Sequence, residues 1–549
     1  TVWADAAGTQ AIIGQAGGNV TWDFYNQTIP AVVYVEGDST GAATLTWTVK
    51  NGTIAVQTDI VTFTVLKLGD LIVSDANKTA NVLVASDHTP GSLYIIQDSL
   101  QAAVGVETTF EPMTFGVNGT GKFIHITIVR SDGGTPILNT SCIATNFFAG
   151  QGLTATNDYR DFTITVWADL NLNNTCDTNE DYRIVYVHVV QASLHTVDYA
   201  ATDPSKFHAI TKDPTLDSNG NVQDNGTYGS EQWEDDNYDG DAVDSGEHDY
   251  PVCYTRSATS AGVYVHTTTT IRVLGNPGTN LKVRATGAAS GTTIHLVQQG
   301  TATLGDGKIH ATLESQEAIP STIESDILWF TWEVSLDGGK TWASAGYSCN
   351  KVYITWSNPT LSPLYETCLY VGCNAAAGLD ASPSEAGLVA ETIFDYGFEG
   401  LDVRRVDGTQ MTYWGTYASG DGQPDMFTTV GLLAHADGRC AAWANVFDDV
   451  LKAQGISSGV VTAIQTKDIS DGTGRGFIVK ASLPAQGNNT PHNDFWDGHA
   501  VVLVGTTIYD PSYGTHFASL SDWEAFHAPG AIWPVSGMVL DFFPNIAPA

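Results

Sequence analysis

Short runs of alternating apolar and polar residues dominate the chain from residue 1 to about 355. Examples are AVVYVEG, ATLTWTV, DIVTFTVLKL, KFIHITIVR and YRIVYVHVV, which are separated by clusters of Gly, Asn and Asp. An alternation with a period of two predicts β-strands with one buried face, and many short strands between turn signals are typical of antiparallel β-sandwiches. We therefore expect several β-sandwich modules in this part of the chain.

The pattern becomes helical after about residue 356. Two adjacent rows of apolar residues recur every four positions and predict an amphipathic helix with a wide buried stripe: Ala442, Val446, Val450, Trp443, Phe447 and Leu451. Gly455 follows as a C-terminal stop. An earlier helix is predicted to start at Ser382 as N-cap, with Pro383 at its first position and Glu385 completing a capping box. Helices mixed with strands predict an α+β domain at the C-terminal end.

A chain of 549 residues is too long for a single core, and the changes in pattern divide it into five parts. We expect a β-sandwich module, incomplete or strand-donating, at 1–66; an Ig-like β-sandwich at 67–192; an acidic calcium-loop linker at 193–250; a second Ig-like β-sandwich at 251–355; and an α+β cysteine domain at 356–549. By pattern alone, the sandwiches resemble the Ig-like modules of bacterial surface and secreted proteins. This resemblance implies an extracellular or cell-surface location.

The pentapeptide TVWAD opens the chain and recurs at Thr165 to Asp169. One interpretation is that the first strand is left over from a preceding repeat, part of which was removed or is not shown. Such a strand needs a sheet edge, so it predicts self-association by β-strand addition to a neighbouring molecule. Five residues also match by chance, and both interpretations remain open at this point.

The charge balance is strongly acidic, with 60 Asp and Glu residues against 23 Lys and Arg and a formal net charge of −37. A repulsive field faces any polyanion, which argues against nucleic-acid binding and favours divalent cations as partners. No run of about 18 apolar residues is present, so no transmembrane segment is expected in this chain.

Two acidic segments predict structural calcium sites that stiffen junctions between β-domains. The first, DDNYDGDAVDSGE, alternates oxygen-bearing side chains around a glycine as calcium loops do: Asp235, Asn237, Asp239, Asp241, Asp244 and Glu247. The second, DLNLNNTCDTNED, has a similar set: Asp169, Asn171, Asn173, Asp177 and Asp181. The alternative is a solvated acidic linker with Asx turns.

Seven cysteines are present, and setting Cys440 aside leaves an even number that is compatible with three disulfides in an oxidising compartment. Proximity along the chain suggests three pairs, although connectivity does not follow from sequence: Cys142 with Cys176, Cys253 with Cys349, and Cys368 with Cys373. No Cys/His spacing typical of zinc appears. No organic cofactor is expected.

Cys440 lies in the first turn of the amphipathic helix, where unpaired N–H groups and the helix dipole favour a thiolate. Downstream, DGHAVVLVGTTIYDPSYG predicts two strands that carry His499 and Asp510. A thiolate, an imidazole and an orienting carboxylate are what acyl transfer requires. The alternative is that Cys440 is a buried small hydrophobe or pairs outside this chain.

The segments GRCAAWANVFDDVLKAQGI, SGVVTAIQ, DGHAVVLV and YDPSYG, in this order, resemble the transglutaminase-like core of the papain-like cysteine peptidase superfamily. The resemblance covers about residues 380 to 520. It implies that Cys440 is the nucleophile, His499 the base and Asp510 the orienting acid, with Trp414 or Gln410 as the second oxyanion donor. The chain departs from the family where an aromatic residue often follows the histidine, and in the inserted segment SLPAQGNNTPHNDFW.

Two functions are compatible with these features. The first is an extracellular or cell-surface enzyme that hydrolyses or transamidates a protein or peptide amide through a thioester, with hydrolysis favoured because most thioesters meet water. The second is a structural subunit of a bacterial surface layer or extracellular filament, in which the C-terminal domain binds or crosslinks its neighbours. The acidic β-modules favour the second function, and the Cys-His-Asp set favours the first.

Overall fold

The computed structural model describes part of the chain, namely residues 2–3, 11–13, 34–35, 41–51, 54–65, 68–75, 81–84, 90–96, 101–102, 104–110, 123–130, 138–143, 155–156, 161–169, 175–177, 182–257, 262–420, 425–467, 477–478, 483–490, 495–496, 498–528 and 539–544. It has two compact units. The first comprises Thr1–Ala192, Val273–Asn280 and Leu336–Ala343, and the second comprises Ser193–Arg272, Leu281–Ser335 and Ser344–Ala549.

The first fifteen strands begin in the first unit, and the last of them continues into the second. They are β1 (Val2–Trp3), β2 (Ala11–Ile13), β3 (Tyr34–Val35), β4 (Gly41–Asn51), β5 (Ile54–Val65), β6 (Leu68–Asp75), β7 (Asn81–Val84), β8 (Gly91–Ile96), β9 (Gln101–Ala102), β10 (Val104–Phe110), β11 (Phe123–Arg130), β12 (Leu138–Ile143), β13 (Ala155–Thr156), β14 (Phe162–Asp169) and β15 (Tyr182–Ala201).

The first strand is paired within its own chain. β1 lies between β2 and β3 and pairs antiparallel with both. Both edges of β1 are thus occupied by strands of the same chain, and self-association by strand addition stays a prediction. The second copy of TVWAD ends β14, which pairs antiparallel with β11.

Most other strands of the first unit pair in antiparallel fashion. The order β12-β11-β14-β15 forms one sheet, to which β8 adds in parallel beside β15. Burial alternates along β14, with Ile164 and Val166 inside. This alternation is the period of two that the sequence shows, and it places Phe162, Ile164 and Val166 on one face.

Twelve further strands lie mainly in the second unit, several of them very short. They are β16 (Phe207–His208), β17 (Thr215–Leu216), β18 (Val222–Gln223), β19 (Trp233–Glu234), β20 (His248–Asp249), β21 (Val252–Thr255), β22 (Tyr264–Leu274), β23 (Lys282–Ala289), β24 (Thr292–Gly305), β25 (Lys308–Ala318), β26 (Glu324–Ser335) and β27 (Ala343–Thr355). The longer ones follow the order β22-β25-β24-β23-β26-β27-β21-β16 in one large sheet. The loop between the short strands β19 and β20 carries the first acidic segment.

The C-terminal part contains the five α-helices of the described chain and a small sheet. The helices are α1 (Glu366–Ala375), α2 (Ala386–Gly397), α3 (Thr429–His435), α4 (Cys440–Ala453) and α5 (Leu520–His527). The strands are β28 (Thr412–Tyr413), β29 (Asp437–Gly438), β30 (Gly459–Lys467), β31 (Phe477–Ile478), β32 (Phe495–Trp496), β33 (His499–Val504), β34 (Thr507–Asp510), β35 (Thr515–Phe517) and β36 (Val539–Pro544). Short 3₁₀ turns span Pro204–Lys206 and Gln486–Asn488.

Helix α4 is the centre of this part and packs against β33 and β30 of the sheet β35-β34-β33-β30-β36. The predicted apolar stripe is confirmed, because both rows of residues are fully buried; Trp443 and Phe447 are the largest of them. The helix ends as expected, with Gly455 in a left-handed conformation at φ +78°. In the described residues, no helix is long and apolar enough to cross a membrane.

The start of α2 differs from the prediction. The helix begins at Ala386 rather than at Pro383, and Ser382 Oγ contacts Ser384 Oγ at 2.9 Å instead of capping. One half of the capping box is nevertheless present, because the Ser382 N–H donates to the Glu385 carboxylate at 2.6 Å. The residues predicted to form the first turn of the helix therefore form a separate turn that precedes it.

Two of the predicted disulfides are not formed, since Cys253, Cys349, Cys368 and Cys373 are free thiols. Cys253 is in register with Tyr353, four residues from Cys349 along β27, and this spacing exceeds the reach of a disulfide. Cys368 and Cys373 are five residues apart on α1 and point in different directions. Of the third predicted pair, the side chain of Cys142 lies outside the described part of the chain.

Candidate active site

Cys440 is the first residue of α4 and is half-buried. The chain enters the helix from β29, where Gly438 passes close to the helix: a Cβ atom at Gly438 would lie 2.9 Å from the Cβ of Ala442. A side chain at this position would crowd Ala442 of α4 and Leu432 of α3, so the close approach favours glycine. The sulfur thus lies at the open N-terminal end of a buried helix, where backbone N–H groups lack intrahelical partners.

His499 and Asp510 are contributed by adjacent antiparallel strands. β33 and β34 pair from Val502 with Tyr509 onward, which brings Asp510 at the end of β34 beside His499 at the start of β33. His499 Nε2 donates to the Asp510 carboxylate, with 2.9 Å to each oxygen. Both side chains are almost completely buried, at 1% and 0% exposure.

The electrostatics around His499 favour its charged form. Burial lowers the pKa of His499, but Asp510 and the neighbouring Cys440 outweigh it and raise the pKa to about 10. Burial opposes the charge of Asp510, yet the positive His499 holds the pKa of that carboxyl below its usual range. The other ring nitrogen, Nδ1, is buried without a hydrogen-bond partner among the described residues. At neutral pH His499 is therefore an imidazolium, with the Asp510 carboxylate and Cys440 as its neighbours.

Two residues of α5 complete the surroundings of Asp510, and the sequence analysis did not find them. The indole N–H of Trp523 donates to Asp510 Oδ2 at 3.0 Å, and its ring stacks on His499 at 5.7 Å between centroids. His527 Nε2 lies 3.7 Å from the same oxygen and 3.0 Å from Thr515 Oγ1. Burial lowers the pKa of His527 to about 4, so this imidazole is neutral at pH 7.

Of the two predicted oxyanion residues, the structure brings only Trp414 towards Cys440. The Trp414 backbone N–H donates to the Gly438 carbonyl at 3.0 Å, two residues before the cysteine. Its backbone N–H is therefore in use, and only the indole N–H is left as a donor. Gln410 lies in a turn where its amide donates to Asp402 at 2.7 Å, and no contact with Cys440 is seen in the described residues.

A buried carboxylate fixes the turn that carries Trp414. Asp437, which is 7% exposed, accepts the backbone N–H groups of Gly415 at 2.7 Å, Tyr417 at 2.8 Å and Ala418 at 3.1 Å. Trp414 itself has φ +54°, a left-handed conformation that is uncommon for a large residue. The three hydrogen bonds thus stabilise a strained backbone directly beside the candidate nucleophile.

Aromatic rings wall the site. Trp496 meets His499 edge to face at 4.8 Å between centroids, and it also contacts Trp414 at 5.7 Å and Tyr413 at 6.0 Å. Tyr513 lies 5.6 Å from the His499 ring. These rings exclude water from the buried side of the imidazole and so strengthen its interaction with the carboxylate.

The inserted segment also contributes, in its described residues 483–490. The Asn489 amide donates to the backbone carbonyls of Tyr413 at 2.7 Å and Trp414 at 2.9 Å. The buried Gln486 amide donates to the carbonyl of Pro511, directly after Asp510, at 2.9 Å. The insertion therefore braces both sides of the site, a role that its polar composition alone did not indicate.

The first acidic segment is folded around its own carboxylates. Carboxylate oxygens of Asp235, Asp239 and Glu247 lie within 4.8 Å of one another. Asp235 is 2% exposed, and burial, with added repulsion from Glu247 and Asp239, raises its pKa. The Asn237 amide donates to Asp239 at 3.2 Å and to Asp244 at 2.8 Å, which brings five of the six predicted residues together.

The remaining predicted oxygen donors are placed differently. Asp241 accepts the Val243 N–H at 3.2 Å in a local turn. A second group, His195, Glu234 and Asp236, converges next to the first, and the sequence analysis missed it because His195 is distant along the chain. Of the predicted donors in the 169–181 segment, only Asp177 and the backbone of Asp169 are described; Asn171, Asn173 and Asp181 lie outside the described residues.

Two solved structures illustrate how the chain compares with known proteins, and both likenesses are remote. No family model and no curated protein match the chain. The crystal structure of red sea bream transglutaminase is similar at 14% identity and a TM-score of 0.24, over 47% of this chain and 49% of that one. Three N-terminal domains of the highly immunogenic outer capsid protein (Hoc) of bacteriophage RB49 are similar at 9% identity and a TM-score of 0.24, over 59% of this chain and 91% of theirs. The chain thus spans about half the transglutaminase, and neither likeness carries an argument about function.

Proposed function

We propose that the C-terminal part is a transglutaminase-like α+β domain that transfers acyl groups through a thioester on Cys440. The observation that carries this proposal is the buried His499, which donates through Nε2 to both oxygens of Asp510 and has Cys440 as a neighbour, so that its charged form is favoured. In the first step the thiolate attacks an amide carbonyl, and the imidazolium gives its proton to the leaving amine. In the second step neutral His499 takes a proton from the incoming water or amine.

The oxyanion that forms in each step needs two donors. The backbone N–H of Cys440, at the N-terminus of α4, is the first. We assign the second to the indole N–H of Trp414, whose backbone is anchored at Gly438 and whose turn is held by Asp437. Arg439 stacks on the Trp414 ring at 4.4 Å and supports its orientation.

Hydrolysis of a protein or peptide amide is the reaction we favour over transamidation, because water resolves a thioester unless the site excludes it. The test supplies a glutamine-containing peptide with and without a primary amine. Ammonia or amine release that is independent of the added amine supports hydrolysis, whereas incorporation of the amine into the peptide supports transamidation. Loss of both products in Cys440→Ala, with retention in Cys176→Ala, is expected. Equal turnover by Cys440→Ala would contradict the proposal.

We propose that the loop around Asp235 binds calcium and stiffens the segment between the β-modules. Oxygen ligands from Asp235, Asp239 and Glu247 suit this hard cation, and their mutual repulsion is relieved when it binds. The melting temperature should rise with calcium and fall with a chelator. In Asp239→Asn this difference should shrink, while the exposed control Glu399→Gln should keep it. A melting temperature that does not change with calcium would contradict the proposal.

We propose an extracellular or cell-surface location, with Ig-like β-modules that carry the cysteine domain away from the cell. The support is the acidic, β-rich character of the chain. Antibody labelling of intact cells should detect the protein before permeabilisation. Labelling only after permeabilisation would contradict this location.

A further inference from the structure

Cys253 and Cys373 belong to the same core, although they are distant along the chain. β21 runs parallel to β27 with Cys253 in register with Tyr353, so both side chains lie on the same face of the sheet. Tyr353 donates its hydroxyl to Glu366 of α1 at 3.2 Å, which shows that this face is turned towards α1. Cys253 and Tyr353 are part of the hydrophobic core that includes α1, whereas Tyr254 points to the other side.

Cys373 approaches the same strands from the helix. It follows Glu366 by seven residues, or two turns, and therefore lies on the same face of α1. Its Sγ is 3.6 Å from the Ile354 carbonyl, and Ile354 is paired with Tyr254, the residue after Cys253. The Gln454 amide N–H donates to Sγ at 3.2 Å, and its amide oxygen accepts the Trp356 N–H at 3.0 Å just after β27.

The chemical surroundings distinguish this pair from the other cysteine of α1. Burial raises the pKa of the Cys253 thiol, and the neighbouring Cys373 raises it further. Cys368 is equally buried but has Asp449 and Asp213 as charged neighbours, on the side of the helix away from β21. Cys253 thus has one thiol neighbour among the described residues, and it is not the cysteine that proximity along the chain suggested.

We propose that Cys253 and Cys373, which are free thiols in the structure, join in a disulfide under oxidising conditions and so tie β21 of the sheet to α1 of the cysteine domain. Two thiols become one S–S bond when glutathione disulfide accepts the two electrons and both protons and leaves as two molecules of glutathione. Both cysteines are fully buried, so the exchange takes place during folding, before the core closes around them. The loop that they close is long, which is where the chain-entropy account gives the largest stabilisation.

The experiment refolds the reduced, full-length protein in a glutathione redox buffer, alkylates the remaining thiols and maps the peptides by mass spectrometry without reduction. A linked peptide pair containing Cys253 and Cys373 is expected, with Cys368 and Cys440 alkylated. The oxidised protein should melt on the order of 5–10 °C above the same protein after reduction. Recovery of Cys253 and Cys373 as alkylated thiols from correctly refolded protein would overturn the proposal.

Matched variants separate this bond from general effects of core cysteines. Cys368→Ala, on the same helix and equally buried, should keep the linked peptide and the difference in melting temperature between oxidised and reduced protein. Cys253→Ala and Cys373→Ala should each abolish both. If these two variants fail to fold, the peptide map of the wild-type protein still decides the question. A linkage of Cys373 to any other cysteine would also overturn the proposal.

Discussion

Replacing Asp510 by Asn tests the electrostatic basis of the site, because the two side chains have the same shape and differ in charge. The carboxylate is fully buried and lies 2.9 Å from His499 Nε2 through both of its oxygens. It is the largest favourable influence that keeps the imidazole charged against the effect of burial. With Asn at this position, burial dominates and the pKa of His499 falls to its ordinary value or below.

The size of the effect follows from the two pKa values. With a pKa of about 10, His499 is almost fully protonated at pH 7.5. With an ordinary pKa of about 6.5 or lower, at most about one tenth of the molecules carry the imidazolium at this pH. The population of charged imidazole that can pair with the Cys440 thiolate therefore decreases at least about tenfold.

The assay is the second-order rate of alkylation of Cys440 by iodoacetamide at pH 7.5, followed by mass spectrometry. We expect a decrease of at least about tenfold in Asp510→Asn, in proportion to the loss of imidazolium. Asp395→Asn is the matched control, because Asp395 pairs with His516 at 3.4 Å on the surface of the same domain. An unchanged rate in Asp510→Asn, or an equal decrease in Asp395→Asn, would refute the reasoning.

Three further outcomes follow. Trp523→Phe keeps an aromatic ring over His499 but removes the N–H bond to Asp510, so the free energy of unfolding should decrease by about 1.5–3 kcal/mol in denaturant titrations. The acid limb of the pH profile of Cys440 alkylation should also move to higher pH, and an unmoved limb would argue against this role of Trp523. Because the pKa of His499 is raised in the folded state, the stability that this residue contributes is complete below about pH 6.5 and is lost towards pH 10. The difference in unfolding free energy between the wild type and His499→Gln should therefore shrink over that range. Phe447→Ala opens the core beneath α4 and should cost about 3–5 kcal/mol in denaturant unfolding, whereas Phe526→Ala, at an exposed position, should cost far less.

Local patterns were sufficient for the elements that carry the site. The apolar rows of α4 follow the helical repeat closely, so the position of Cys440 at its start could be derived from the sequence. The spacing of eleven positions from His499 to Asp510 matches a hairpin of two short strands, and the structure brings the two side chains into contact. These features depend on residues close together in the chain, for which periodicity is informative.

The features that were missed depend on how separate elements pack against one another. Trp523 and His527 reach Asp510 from α5, and Asn489 reaches Trp414 from the insertion, without any signal in spacing. The cysteine pairs were also missed, because the sequence suggested pairs of cysteines that are near each other in the chain. In the structure, the side chain of Cys253 faces α1 instead. Contacts between elements that are remote in sequence are set by tertiary packing, which a local pattern does not encode.

The central claim is that Cys440 forms an acyl thioester, and capturing this species tests it most directly. The native protein is incubated with an activated acyl ester, quenched in acid and digested, and the mass of each cysteine peptide is measured. We predict one acyl adduct, on Cys440, that hydroxylamine removes and that is absent in His499→Gln although iodoacetamide still reaches the sulfur. An adduct spread equally over Cys176 and Cys440, or none on an accessible Cys440, would contradict the account.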